Sequence, residues 1–218
     1  MNDTEVWSAI DDQRRRTADL LEQLSEEEWR RPSLCPGWTV RDVAAHLTLQ
    51  ELRIADALAA VIRHPGSLGG INRMIRLSAR HKAEQPVEQL IGELRATVGS
   101  RRSNVGVTNM ETLIDILVHS QDIAIPLERD LEMPTAAAAT AASRVRSQLG
   151  TRTGRVFSDL GAHRFRLIAT DATWCEGDGL EVRGPISAIL LLLTGRLAAL
   201  PRLTGAGADE LRSQRLAT

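Results

Sequence analysis

Apolar positions along the chain recur mostly at steps of three, four and seven, the interval that stacks side chains on one face of an α-helix. From Asn2 to Leu24 the positions Trp7, Ile10, Arg14, Thr17, Leu20, Leu21 and Leu24 keep helical spacing with charged residues between them, which predicts a long amphipathic first helix. Ser25 followed by Glu26, Glu27 and Glu28 starts another short turn. The connector Trp29 to Trp38 holds two prolines, a glycine and two tryptophans, too apolar for an idle solvent loop, and is expected to pack over one end of a helical bundle. Pro36-Gly37 then marks a turn, and Thr39 with Asp42 three residues later reads as a capping box, so a second helix begins at Val40. Along it Val40, Val43, Leu47, Ile54, Leu58 and Val61 lay one stripe toward the core, with His46 at its border.

His64-Pro65-Gly66 and Gly69-Gly70 break the pattern, and the segment Ile71 to His81 resumes it with Arg73, Arg76 and Arg80 on one face. Pro86 opens a further helix through Val98, carrying Val87, Leu90, Ile91, Leu94 and Val98 on one side and closed by the polar run Gly99 to Asn109. Met110 to Pro126 is apolar almost all round, as expected of the most buried helix of a bundle. After Pro126 the character changes. Thr135 to Leu149 is an Ala-rich bridging helix carrying Arg144 and Arg146. Arg164 to Trp174 alternates with a period near two and reads as a strand, which the Gly177-Asp178-Gly179 turn joins to a second strand, Leu180 to Arg183, as a hairpin. Gly184-Pro185 starts the apolar helix Ile186 to Leu193, Gly195 ends it, and short helices around Gly205 and Gly207 complete the chain to Arg215.

At 218 residues the chain holds one large domain or a main domain with a small appendage. A formal charge of −1 provides no long-range field, so electrostatics do not suggest a nucleic-acid partner. The longest apolar run, Ile186 to Thr194, is too short to span a bilayer, and the N-terminus lacks a basic segment followed by an apolar one; a soluble cytoplasmic protein with no membrane partner is the expectation. The two cysteines, Cys35 and Cys175, form no CxxC or neighbouring pair, which argues for free thiols rather than a disulfide framework or zinc knuckle.

Asp115 and His119 lie one turn apart in the apolar helix, so both leave the same face, and Asp122 follows a further turn along. A buried polar group without partners costs roughly 2–7 kcal/mol, and a charge more. A divalent metal would satisfy the pair, and His46 is the candidate third ligand, completing two imidazoles and one carboxylate with open positions. Each histidine taken alone has a plainer explanation, a hydrogen-bonded core or surface residue; His64, His81 and His163 fall in breaks or polar segments and are expected to be exposed. Asp122 either accepts the outer ring N–H of His119 or stabilises the helix end. The Arg73, Arg76 and Arg80 stripe is either a solvated face or a carboxylate clamp. Cys35, with no base assigned beside it, is read as structural rather than as a nucleophile.

The segment PGWTVRDVAAHL, Pro36 to Leu47, combined with the acid and the HxxD of Asp115 to Asp122, resembles the mycothiol-dependent maleylpyruvate isomerase family within the wider DinB-like four-helix-bundle group. The C-terminal LIATDATW and GRLAAL segments are similar to the tails of those proteins. The resemblance implies a mainly α protein, with a DinB-like antiparallel four-helix bundle over residues 1–130 that holds a metal, usually zinc, through His46, Asp115 and His119. Residues 131–218 then form the bridging helix and a small α+β region. The isomerase carries Glu where Asp115 stands, so the shorter side chain implies a shifted metal or a changed coordination. Its active-site arginine on the third helical segment matches Arg76.

The function implied is a metal-dependent, mycothiol-using enzyme, a thiol S-transferase or a maleylpyruvate-isomerase-like cis–trans isomerase, in which the cation favours the cofactor's thiolate. Its partners would be a small electrophilic substrate and the low-molecular-weight thiol, the chain acting as monomer or homodimer. The alternatives are a hydrolase using the same ligands with water in the open position, and a non-catalytic metal or thiol sensor.

Overall fold

Helices of the N-terminal part start where their capping residues stand. In the computed structural model, which describes residues 1–51, 71–102, 107–149, 151 and 161–216, α1 (Asp3–Leu21) is capped by Asn2 and α2 (Glu26–Arg30) by Ser25. Thr39 caps α3 (Val40–Thr48), and Thr108 caps α6 (Asn109–Ala124). In all four the third helical residue, Glu5, Glu28, Asp42 or Glu111, returns a bond to the cap's backbone N–H, so two otherwise orphaned donors are satisfied at each start. Between α3 and α6 lie α4 (Ile71–Lys82) and α5 (Val87–Ala96). The predicted continuation of the second helix through Ile54, Leu58 and Val61, and the breaks at His64-Pro65-Gly66 and Gly69-Gly70, lie outside the described residues.

These helices belong to a compact unit, Asn2–Glu132, in which α1 packs on α5 and α6, and α3 packs on α4, α5 and α6. The α1, α3 and α6 faces contribute Ile10, Leu21, Val43, Leu47, Leu113, Ile116 and Leu117, all essentially removed from solvent. At its end α3 tightens: the Leu49 N–H bonds to His46 O, and Leu49–Glu51 form a 3₁₀ turn. The connector before α3 is a packed structure, as its composition suggested. Trp29 and Trp38 are buried, Gly37 takes a left-handed φ of 75° that a side chain would strain, and the Leu34 N–H bonds to Asp122 O at 3.1 Å, tying the turn to α6.

The second unit spans Met133–Thr218 and includes Met1. In it α7 (Thr135–Gln148) packs its small face, Ala137, Ala138, Ala141, Ala142 and Val145, against α8 (Ile186–Leu193), which is apolar except for Ser187. A three-stranded sheet has the order β2-β1-β3, with β1 at Arg166–Ala169, β2 at Cys175–Glu176 and β3 at Glu181–Gly184. This corrects the expected pairing. The antiparallel partner of β1 is β2, reached through the bend at 170–174, whereas β3, the segment expected to pair through the Gly177-Asp178-Gly179 turn, runs parallel to β1 on its other side. The two glycines have φ of 88° and 100°, and each passes so close to the backbone of Arg164 or Phe165 that a Cβ would collide, so they carry the chain across the sheet rather than closing a hairpin. The chain ends in α9 (Ala206–Leu216), packed on β3. Among the described residues no helix is long and apolar enough to cross a membrane.

Candidate metal centre

His46 is in the second turn of α3, and Asp115 and His119 are one turn apart on α6, the helix packed against it. Their polar tips converge. Asp115 Oδ1 lies 3.3 Å from His46 Nε2 and 3.4 Å from His119 Nε2. The two rings meet edge to face, with centroids 4.8 Å apart. The side chains of His46, Asp115 and His119 remain 17%, 29% and 16% exposed, so the cluster opens to solvent on one side.

Behind His119 the surroundings are closed. Asp122, with no exposed side-chain surface, faces His119 Nδ1 at 2.8 Å through Oδ2. The Cys35 S–H donates to the same Oδ2 at 3.1 Å, and its sulfur lies 3.6 Å from Nδ1. Trp38 sets its ring edge-on to His46, centroids 5.4 Å apart. On the other side of the cluster Gln50, one turn beyond His46, donates from Nε2 to Asp115 Oδ2.

The charges respond to this crowding. Burial would push the Asp115 carboxyl up, but the charges of His46 and His119 and their hydrogen bonds hold it well below the ordinary range. For His119 burial acts downward, yet the Asp115 charge and the bonds with Asp115, Asp122 and Cys35 hold the ring well above an ordinary histidine.

The donor set fits a divalent cation. Bonds of about 2.0–2.2 Å at tetrahedral angles place neighbouring ligand atoms roughly 3.3–3.6 Å apart. The spacings of 3.3 and 3.4 Å around Asp115 Oδ1 match that edge, and the three donor atoms all lie within 4.8 Å of one another. A neutral His119 whose Nδ1–H points at Asp122 turns a lone pair toward a carboxylate oxygen, an arrangement relieved either by a second proton or by a cation between them.

The remaining expected residues are distributed as follows. Arg73, Arg76 and Arg80 are exposed on α4. Arg80 Nη2 donates to Gly37 O at 3.0 Å, and Arg76 Nη1 reaches the same glycine, so both lie against the turn that precedes α3. Among the described residues no hydrogen bond or ion pair joins any of the three to His46, Asp115 or His119. His81 is exposed and pairs with Glu84, and His64 lies outside the described residues. Cys35, expected to have no base beside it, has His119 Nδ1 3.6 Å from its sulfur. Nothing in the spacing signals that contact, since 84 residues separate the two. Gln50 was missed although it carries a signal, its position four residues after His46 on the same face.

The family profile described as Mycothiol maleylpyruvate isomerase N-terminal domain matches residues 10–111, a stretch that contains His46 and the α4 arginines and stops short of Asp115. No match is found among curated proteins. Among solved structures, the crystal structure of the mycothiol-dependent maleylpyruvate isomerase is similar in fold, with a TM-score of 0.57 at 13% identity over 95% of this chain and 94% of that one. A histidine-to-alanine mutant of that isomerase is similar at 12% identity with the same TM-score and coverage. The profile shows that residues 10–111 are similar to the mycothiol maleylpyruvate isomerase N-terminal domain, and the solved structures show that the fold is shared.

Proposed function

We propose that the chain is a metal-dependent enzyme that uses mycothiol as cofactor, acting as a cis–trans isomerase of the maleylpyruvate type or as a thiol S-transferase. The observation that carries this reading is the convergence of two imidazole Nε2 atoms from separate helices on one oxygen of Asp115 at tetrahedral ligand spacing, in a cluster open on one side. A bound divalent cation, zinc foremost, would lower the pKa of a thiol presented to it and so supply a thiolate near neutral pH.

The protein's own groups do the rest. Asp122 keeps the Nδ1 proton of His119 and turns Nε2 to the open side, while Trp38 restricts the ring of His46. Burial of Asp122 and of the α3–α6 seam closes the back of the site, while His46, Asp115 and His119 stay partly exposed. Arg76, on α4 and lying against the turn before α3, presents a permanent planar cation suited to a substrate carboxylate or to the polar groups of the cofactor. Whether the thiol is released again, as in an isomerase, or kept in a new S–C bond, as in a transferase, depends on the electrophile.

Metal analysis of the purified protein against His46→Ala and His119→Ala tests the ligand set: wild type should carry one cation per chain and both variants should lose it. Unchanged metal content in both variants would remove the site from consideration. Turnover is then assayed with mycothiol and maleylpyruvate, and with mycothiol and a panel of electrophiles. Zinc binding without any thiol-dependent rate would defeat the enzymatic reading, and thiol-independent hydrolysis would replace it with a metal hydrolase.

A further inference from the structure

We propose that Gln50, held by Arg14, is a positioning residue that fixes which oxygen of Asp115 faces the two imidazoles. The proposal rests on the metal reading above and concerns how the acid ligand is aimed. An aspartate on a helix has a broad, two-fold χ2 torsion, so packing alone does not choose between its oxygens. Here both are assigned. Oδ1 faces His46 and His119, and Oδ2 accepts from the Gln50 amide.

The direction of that amide is set from behind. A glutamine can be turned over to exchange donor for acceptor, and its own shape does not say which way it stands. Arg14 decides, because a guanidinium has donors only. Its Nη2 lies 3.4 Å from Gln50 Oε1, which obliges the NH₂ group to point the other way, at Asp115. Arg14 is itself immobilised: its side chain is fully buried, Nη1 donates to Thr97 O at 2.6 Å, and Asp11 lies 3.7 Å away. A rigid cation on α1 thus orients an amide on the turn after α3, and that amide orients a carboxylate on α6.

The geometry also explains why the pair works across the helix seam. His46 and Gln50 are four apart, as are Asp115 and His119, so two facing i, i+4 pairs meet and each Asp115 oxygen has its own partner from the α3 side. The result is a carboxylate prepared to bind through a single oxygen, with the second withheld. That leaves coordination positions for ligands from outside the protein.

The test uses the full chain stripped of metal and titrated with zinc alone against a chromophoric chelator, comparing wild type, Gln50→Met, Gln50→Glu and His46→Ala. Gln50→Met keeps the length and loses both hydrogen bonds; Gln50→Glu keeps an acceptor for Arg14 and loses the donor. Both should weaken zinc binding by about 10–100-fold, as groups that orient a ligand commonly do. Cobalt-loaded Gln50→Met should also show an altered visible spectrum, because Asp115 can then offer both oxygens, a change that a loss of fold stability alone does not produce. If both Gln50 variants bind zinc as wild type does and keep its cobalt spectrum while His46→Ala loses the metal, the positioning role is overturned and the metal site stands. If His46→Ala binds as well as wild type, the metal reading falls and this proposal with it. Should Gln50→Met fail to fold, Gln50→Glu decides between the same outcomes.

Discussion

His119 lies between two carboxylates that do different work. Asp115, partly exposed, shares the open side of the cluster; Asp122, fully buried, takes the other ring nitrogen and also accepts the Cys35 S–H. Removing Asp122 therefore frees the ring and strands a thiol. Asp122→Ala should bind zinc about 10–100-fold more weakly than wild type in a chelator competition, since the ring tautomer is no longer imposed. Cys35→Ala provides the contrast. It deletes one weak donor and leaves the Asp122 to His119 contact of 2.8 Å in place, so its zinc affinity should match that of wild type. An Asp122→Ala protein with undiminished affinity would show that Asp122 serves only the helix end.

At the level of elements, the cap of α3 is the local device on which the site depends, because that helix carries His46 and leads into Gln50. Thr39 Oγ1 accepts from the Asp42 N–H while Asp42 accepts from the Thr39 backbone. Thr39→Ala should lower unfolding free energy by about 0.5–2 kcal/mol, measured by urea denaturation of the metal-free protein. A second device makes stability depend on acid. Glu28 is hydrogen-bonded by Arg129 and by Ser25, and its pKa is lowered from 4.5 to about 2. A carboxyl whose pKa is depressed by folding binds fewer protons in the native state. Its contribution is present above pH 4.5 and disappears as pH falls toward about 2. Glu28→Gln should accordingly show a shallower loss of stability than wild type across that interval, and parallel acid-denaturation curves would refute the assignment.

At the scale of the whole molecule, the chain divides into two units between Glu132 and Met133. What holds the smaller unit together includes a passage only glycine can make. At Gly177 the backbone has φ of 88°, and an added Cβ would strike Phe165 O and the Arg146 guanidinium. Gly177→Ala should destabilise this unit by at least about 1 kcal/mol, read from its urea midpoint, whereas a hairpin turn open to solvent would tolerate the change more easily.

The helices and their starts could be read from residue order, because capping boxes and apolar periods act over three to seven positions and need no distant partner. The Asp115 to His119 spacing belongs to the same class, a pair on one face in an apolar helix, and His46 stood out at the border of a capped helix. Other features depended on groups far apart in the chain. The parallel pairing of β1 with β3 is a choice between two edges of one strand, and local alternation is blind to it. Cys35 meets His119 only because the Pro36-Gly37 turn lies against α6, and the path from Arg14 through Gln50 to Asp115 draws on three separate elements. Sequence alone determined which helices form and which faces carry the imidazoles and the acid, since those are short-range properties of the chain. The tertiary structure decided which oxygen faces which ring and what stands behind each ligand, since only packing brings distant groups to hydrogen-bonding distance.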